Sequence, residues 1–339
     1  MPRLTVIVLN WNGRNLLTPC LESVRAQTAI DEIELIVVDN GSTDGSVDLV
    51  EADFPEAHLI RQDHNTGFCH GNNVGMEVAR GDLILLLNND AELAADFAAC
   101  VIAGADEHPQ MGMFATRVRM FDRPEIFDST GLLVYPDGVC RSRGWLEKDM
   151  GQYDEREEVL GPNGCAAVYR RAMLDDVGLF DEGYFAYLED LDLAMRGQLR
   201  GWHCLYLPEA EAVHKKSMTS GYHSAFKAYH VERNRIWNAM RLFPLRLLAL
   251  SPFYTLARYL AQGSATAAGK GISSSFRRDY SRSELAWILI RAYGNAFARA
   301  PEVWRQRRAI QARRRLGALD VYLLMRRYRL PLSELAFKD

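Results

Sequence analysis

The chain has 339 residues, 48% hydrophobic and 25% charged, enough to bury a large core and long for a single domain. Six scattered cysteines (Cys20, Cys69, Cys100, Cys140, Cys165, Cys204) form no C-x-x-C pair, which argues against a zinc site or disulfide scaffold and fits reduced thiols. The net charge of −4 is uneven: residues 1–221 carry 18 basic against 37 acidic side chains and residues 222–339 carry 22 against 7, so the tail points to an anionic partner, nucleic acid or membrane.

Met1-Pro2-Arg3 runs straight into an apolar strand pattern, so no secretory leader is expected. The run 4–9 reads as a buried strand ending at Asn10-Trp11-Asn12-Gly13, and 16–27 follows at helical spacing. The run 35–38 is a second strand, ending at Asp39-Asn40-Gly41-Ser42. A helix over 46–53, a short strand over 58–61 and a helix over 68–79 lead to a third buried strand, 83–87. That strand ends at Asn88-Asn89-Asp90. Strands alternating with helices predict a mostly parallel sheet. In such a sheet the carboxyl ends of the strands face the ligand crevice, so Asn10, Asp39 and Asp90 are expected to converge.

Residues 113–145 read as irregular strands and turns, with a hairpin turn at Tyr135-Pro136-Asp137-Gly138. Short helices are expected over 170–177 and 188–200, and a strand over 204–207. Beyond Ser220 the chain becomes basic. Residues 242–260 are rich in Leu, Phe and Tyr, but the charge-free part, 247–257, is too short to span a bilayer. It suits an interfacial amphipathic segment, and an ordinary helical subdomain with a solvated basic face is the competing reading.

Four places carry residue types suited to catalysis. Asp39, at a strand end, can accept from the imide N–H of uracil or thymine. Asn88-Asn89-Asp90 resembles a D-x-D metal motif whose first Asp is replaced, and Asp90 with substrate phosphates can hold Mg²⁺. Glu189-Asp190, with Asp192 one turn on, opens a helix and offers a general base, although the helix dipole alone favours acids there. His214 precedes Lys215, Lys216, Ser217 and Ser220 and suits a metal or diphosphate contact.

Read together, VIVLNWNG from Val6, VVDNGSTDGS from Val37, NTGFCHGNNVG from Asn65, GDLILLLNNDAEL from Gly81, GPNGCAAVYRRAML from Gly161 and VGLFDEGYFAYLEDLDLAMRGQLRGW from Val177 resemble glycosyltransferase family 2. Within it, the chain looks most like the rhamnosyltransferase branch. The resemblance implies the GT-A fold: an α/β, Rossmann-like, mixed but mostly parallel sheet flanked by helices. It covers residues 4 to about 220, so a catalytic domain over 1–221 and a basic, mainly helical extension over 222–339 are expected.

By position, the resemblance implies that Asn10, Asn12, Asp39, Asn65, Asn88 and Asn89 serve the nucleotide sugar. Asp90 and His214 would hold Mg²⁺ or Mn²⁺, and Gly164, Cys165 and Ala166 would lie near the acceptor. Asp190, paired with Glu189, would be the catalytic base of an inverting reaction. Asn88 departs from the Asp common in the family. The implied donor is a dTDP- or UDP-sugar, dTDP-L-rhamnose first. The implied acceptor is a glycan or polyprenyl-diphosphate-linked glycan in cell-surface polysaccharide synthesis. Peripheral contact through 240–339 would set the enzyme at the cytoplasmic face of the inner membrane.

Two other classes fit less well. A nucleotidyltransferase usually shows an N-terminal Gly-rich loop with basic residues, where this chain has Asn10-Trp11-Asn12-Gly13. A nucleic-acid binder would have to overcome the acidic front half, and no nucleic acid is expected as a partner.

Overall fold

The computed structural model describes residues 2–215, 224–271 and 279–338. The chain forms two compact units. The first comprises Met1–Leu132, Ser142–Ala186 and Trp202–Thr219, and the second Leu133–Arg141, Tyr187–Gly201 and Ser220–Asp339.

The first unit is built on strands β1 (Leu4–Asn10), β2 (Ile33–Asp39), β3 (His58–Arg61), β4 (Leu83–Asn88), β5 (Ala91–Leu93), β6 (Met111–Met120) and β7 (Arg123–Ser129). After a short hairpin, β8 (Leu132–Val134) and β9 (Cys140–Ser142), come β10 (Glu157–Val159), β11 (Ala166–Arg170) and β12 (His203–His214). The sheet order is β10-β12-β6-β11-β4-β1-β2-β3, with β5 on β12 and β7 on β6. Strands β4, β1, β2 and β3 run parallel, whereas β11 is antiparallel to both neighbours.

Helices cover both faces of the parallel part, which is why β1, β2 and β4 read as unbroken apolar runs. Val6, Val8, Val37 and Leu85 form one core with α1 (Arg14–Arg25), α2 (Ser46–Asp53) and α4 (Phe97–Glu107). On the other face α3 (Gly67–Val78) comes in over two glycines. A Cβ on Gly75 would lie 2.7 Å from Ile7 Cγ2, and one on Gly71 2.4 Å from Leu9 Cδ1.

The structure departs from expectation between β5 and β12. Where irregular strands and turns are expected over 113–145, residues 111–120 form one regular ten-residue strand. Its Arg117 is buried because Asp154 (2.7 Å), the Tyr153 carbonyl (2.9 Å) and Glu211 (3.2 Å) receive its guanidinium. The strand expected over 204–207 continues to His214. A register shift between Leu207 and Glu211 lets β12 carry on past Pro208.

The second unit is helical, with α6 (Glu189–Leu199), α7 (Ala225–Leu242), α8 (Leu245–Ala267), α9 (Arg282–Ala298), α10 (Ala300–Arg313), α11 (Ala318–Arg327) and α12 (Leu332–Phe337). α5 (Arg171–Val177) belongs to the first unit. A buried ionic network ties the 133–141 hairpin to α7 and α8. Asp137 accepts from Arg258 (2.7 Å), and Glu232 accepts from Arg258 (2.9 Å), Arg235 (2.6 Å) and the Tyr259 hydroxyl (2.7 Å). Burial alone would raise the Glu232 pKa, but the two arginines outweigh it and bring it down to about 2.

Replacing Gly75 by Val is expected to overpack the contact of α3 with β1 and destabilise the chain by about 1–3 kcal/mol. Gly294→Ala, on α9 with open space around it, is expected to be neutral or slightly stabilising. Paired thermal melts check this, and equal melting of the two variants would contradict the packing.

Candidate active site

At the carboxyl ends of β4, β1 and β2 the side chains join in one hydrogen-bonded row, buried at Asn89, Asn10 and Asp39 and reaching the surface at Asn12. Asn10 is fully buried. Its Oδ1 accepts from Asn89 Nδ2 (2.8 Å), and its Nδ2 donates to Asp39 Oδ1 and Ser42 Oγ (both 3.2 Å). Asp39 Oδ2 accepts from the Ser42 amide (2.9 Å), and Ser42 Oγ also accepts from the Asn12 amide (2.9 Å). Asn12, at φ 49°, accepts from the Thr43 amide (2.8 Å). Each carboxylate oxygen has two lone pairs, so Asp39 retains acceptor capacity beyond these bonds. Gly13 is required here, because a Cβ would sit 2.2 Å from Asn89 Nδ2.

A neighbouring asparagine that sequence reading passed over, Asn40, holds the loop before α3. Its Nδ2 donates to Asn65 Oδ1 (3.1 Å), and its Oδ1 accepts from the Thr66 amide (3.0 Å) and hydroxyl (2.8 Å). Asn65 also caps the Gly67 amide (2.9 Å). Asn88 bonds the Cys165 carbonyl through its amide (2.9 Å), and its own carbonyl accepts from the Cys20 thiol (3.5 Å).

Asp90 follows directly and is buried. Its Oδ1 lies 3.1 Å from His214 Nε2, while His214 Nδ1 lies 2.7 Å from Asp128 Oδ2. β5 brings this about by pairing Ala91 with His214. Burial works against a charged imidazole, but Cys165 and the two carboxylates outweigh it and hold the His214 pKa well above its usual value. Asp128, from β7, is the second residue that sequence reading missed. Cys165 hydrogen-bonds His214 and begins the segment that continues into β11 at Ala166. Gly164 precedes it, and Asn163 caps the Cys165 amide (3.0 Å). Lys215 pairs with Glu92 (2.8 Å), while Lys216, Ser217 and Ser220 lie outside the described residues.

The Asp90–His214 pair suits a divalent cation. With Nδ1 donating to Asp128, the Nε2 edge faces a carboxylate oxygen, and a proton or a cation must lie on that line. A carboxylate fixing the far nitrogen of a ligating histidine is a recurrent arrangement at metal centres. Among the described residues no group of three or more His, Cys, Asp or Glu side chains is arranged to hold a metal. Two protein donors are sufficient for Mg²⁺ or Mn²⁺ when substrate phosphates complete the shell.

Glu189 and Asp190 belong to the second unit, at the first turn of α6. The backbone before them is strained, with φ 70° at Tyr187 and 68° at Leu188. Two buried α7 asparagines hold it: Asn234 donates to the Tyr187 carbonyl (2.7 Å) and Asn238 to the Leu188 carbonyl (3.3 Å). Asp192 is bound to Arg196 (2.8 Å) and Arg241 (3.5 Å), which makes it a structural anion. Asp190 Oδ1 accepts from the Leu191 amide (2.7 Å) and lies 3.8 Å from the Cys140 thiol. Glu189 Oε2 is buried and finds no hydrogen-bond partner among the described residues. Burial first, then the Asp190 charge, push the Glu189 pKa up to about 8.

The model of the family "Glycosyl transferase family 2" matches residues 5–178. The N-acetylglucosaminyl-diphospho-decaprenol L-rhamnosyltransferase of Mycobacterium tuberculosis is 26% identical over 221 residues, spanning 56% of this chain and 68% of that protein. Among solved structures, the mannosyltransferase PcManGT from Pyrobaculum calidifontis, in complex with GDP-Man and Mn²⁺, superposes with a TM-score of 0.54 at 21% identity. That match covers 90% of this chain and 88% of the other. TarS from S. aureus superposes with a TM-score of 0.52 at 19% identity, covering 97% and 91%. At these identities the structural likeness shows the fold.

Glu189 generates a pH test. A carboxyl with a raised folded-state pKa binds more protons folded than unfolded between about pH 4.5 and 8, so folding stability falls as pH rises through that window. Glu189→Gln is expected to gain on the wild type across the same window, by on the order of 2–4 kcal/mol at pH 8 relative to pH 5. Thermal melts of both proteins at several pH values measure it, and parallel curves would contradict the burial of an ionisable Glu189.

Proposed function

The chain belongs to glycosyl transferase family 2, and from that premise we propose an inverting transfer of L-rhamnose from dTDP-L-rhamnose to a hydroxyl of a glycan or polyprenyl-diphosphate-linked glycan, in the synthesis of a cell-surface polysaccharide. The observation that carries the reading is the continuous row Asn89–Asn10–Asp39–Ser42–Asn12 at the ends of three parallel strands, with buried Asp90 directly beyond it. The likeness to the Mycobacterium tuberculosis L-rhamnosyltransferase supports rhamnose and a lipid-linked acceptor. A UDP-sugar donor is the alternative, since Asp39 suits the imide N–H of uracil as well as that of thymine.

In this reading Asp39 accepts from the base, and Asn10, Asn12, Asn65, Asn88 and Asn89 line the nucleotide-sugar site. Gly164, Cys165 and Ala166 serve the acceptor side. The acceptor oxygen attacks the anomeric carbon as the bond to the diphosphate oxygen breaks and its electron pair leaves with the nucleoside diphosphate. Asp190 takes the hydroxyl proton, beside Glu189, whose pKa burial and the neighbouring carboxylate push up to about 8. A single displacement inverts the anomeric centre, so a β-L-rhamnosyl donor yields an α-L-rhamnoside. A divalent cation held by Asp90 and His214 would supply positive charge beside the diphosphate. The basic region 240–339 keeps the enzyme at a membrane face, where a lipid-linked acceptor resides. Among the described residues no helix is long and apolar enough to cross a membrane.

Asp190→Asn is expected to keep donor affinity within about twofold in calorimetry and to lose transfer by about a hundredfold or more. Normal turnover would remove Asp190 from the base role. Chelation with EDTA is expected to abolish transfer, with Mg²⁺ or Mn²⁺ restoring it, and full activity in chelator would point to a metal-free reaction. Asp128→Asn is expected to weaken Mn²⁺ binding about 10–100-fold, read by titration calorimetry with the donor present. Unchanged Mn²⁺ affinity would mean that Asp128 does not orient His214 for a metal.

A further inference from the structure

The outward side of α8 carries no charge along almost its whole length. Leu250, Phe253, Leu256 and Leu260 are about half to two-thirds exposed, and Ala249, Pro252, Gly263 and Ala267 continue the same row. Arg246, in the first turn, is its one exposed charge. The opposite side is fixed: Arg258 and Thr255 lie buried in the ionic network with Asp137, Glu232 and Arg235. The row is therefore an outer face of a firmly seated helix, about 34 Å long at 1.5 Å per residue.

α9 repeats the pattern. Trp287, Ile290 and Phe297 are each 60% exposed, while Ala292 and Ala296 are buried and the Ala296 carbonyl accepts from Trp237 of α7 (3.2 Å). Exposed arginines lie on the same helices and on α10: Arg246 on α8, Arg282 and Arg291 on α9, Arg305 and Arg308 on α10. The last two line a groove of about 470 Å³ with Trp304, Pro301 and Met240. Among the described residues from 224 onward the exposed acids are Asp279, Glu284 and Asp320, and the latter two already cap α9 and α11.

From this juxtaposition we propose that the apolar rows of α8 and α9 rest in the interface of an anionic lipid bilayer, with the surrounding arginines on its phosphate headgroups. Aromatic and aliphatic side chains beside arginines, on helices too polar to insert, are the composition of an interfacial anchor. The +15 excess of residues 222–339 supplies the long-range attraction. A second copy of this chain is the poorer occupant, because two copies meeting through these rows would bring two tails of +15 together. Nucleic acid does not account for the charge-free row of leucine and phenylalanine. The proposal deepens the lipid-linked acceptor reading and gives the membrane contact its residues, yet its test needs no substrate.

The intact 339-residue chain is mixed with vesicles of phosphatidylcholine alone, or of phosphatidylcholine with phosphatidylglycerol, and sedimented. Wild type is expected to pellet with the mixed vesicles and about tenfold or more weakly with neutral ones. The variant Phe253→Ser/Leu256→Ser/Leu260→Ser is expected to lose vesicle binding by about tenfold or more, with melting temperature and nucleotide-sugar affinity unchanged. A second variant, Arg305→Glu/Arg308→Glu, leaves the apolar row intact and is expected to lose the preference for anionic vesicles. Failure of wild type to pellet with either vesicle overturns the proposal, as does wild-type pelleting by the triple variant. So does a wild-type dimer in equilibrium sedimentation that the triple variant dissolves. Vesicle binding without any nucleotide-sugar affinity would uphold this surface and sink the transferase reading instead.

Discussion

A buried asparagine amide that must be satisfied on both of its sides sets the geometry of the strand-end site. Asn10 has no water to turn to, so its oxygen and nitrogen must find protein partners, and they find them on β4 and β2 at once. That requirement locks three strand ends together, with Asp39 in the row and Asp90 the next residue after Asn89. The parallel register makes it possible: Asn10 stands beside Asp39, and Leu9 beside Asn88. A one-residue slip would turn Asn10 into the apolar core and leave its partners unpaired. At its buried end, Asn89–Asn10–Asp39, such a connected network is held rigid in a low-dielectric setting.

The second unit handles its carboxylates differently. Asp192 is neutralised by two arginines, and Asp137 and Glu232 by two more, so these anions serve packing. Among the described residues Glu189 pairs with no such cation, lies buried beside Asp190 and follows a strained turn clamped by Asn234 and Asn238. A structure selected for stability alone has no reason to keep an uncompensated acid there. The contrast between Glu189 and the cation-paired acids of the same unit supports the proton chemistry proposed at Glu189-Asp190.

Much of the first unit was legible in the sequence because doubly covered parallel strands must be apolar throughout, and their polar ends then stand out. The clusters at Asn10, Asp39 and Asp90 are such ends. Strand β6 was not legible, since Thr116, Arg117 and Arg119 look like surface residues until Glu211 and Asp154 are seen to neutralise the arginines. β12 was cut short at Pro208 because a bulge carries it through. Asp128 carried no local signal: its partner His214 is 86 residues away and meets it through β5 and β7. Asn40 was hidden within a turn motif, and Asn234 and Asn238 within a helical pattern, because hydrogen-bond partners distant in sequence leave no periodicity.

The claim that everything else leans on is that the strand-end row recognises an activated sugar. Titration calorimetry of the intact chain with dTDP-L-rhamnose, UDP-galactose, UDP-N-acetylglucosamine and GDP-mannose, in the presence of Mg²⁺, addresses it directly. Saturable one-to-one binding of a thymidine or uridine nucleotide sugar, tightest for dTDP-L-rhamnose and abolished by Asp39→Ala, is the expected result. No heat of binding with any of the four, or a preference for the guanosine donor that Asp39→Ala leaves intact, would contradict it.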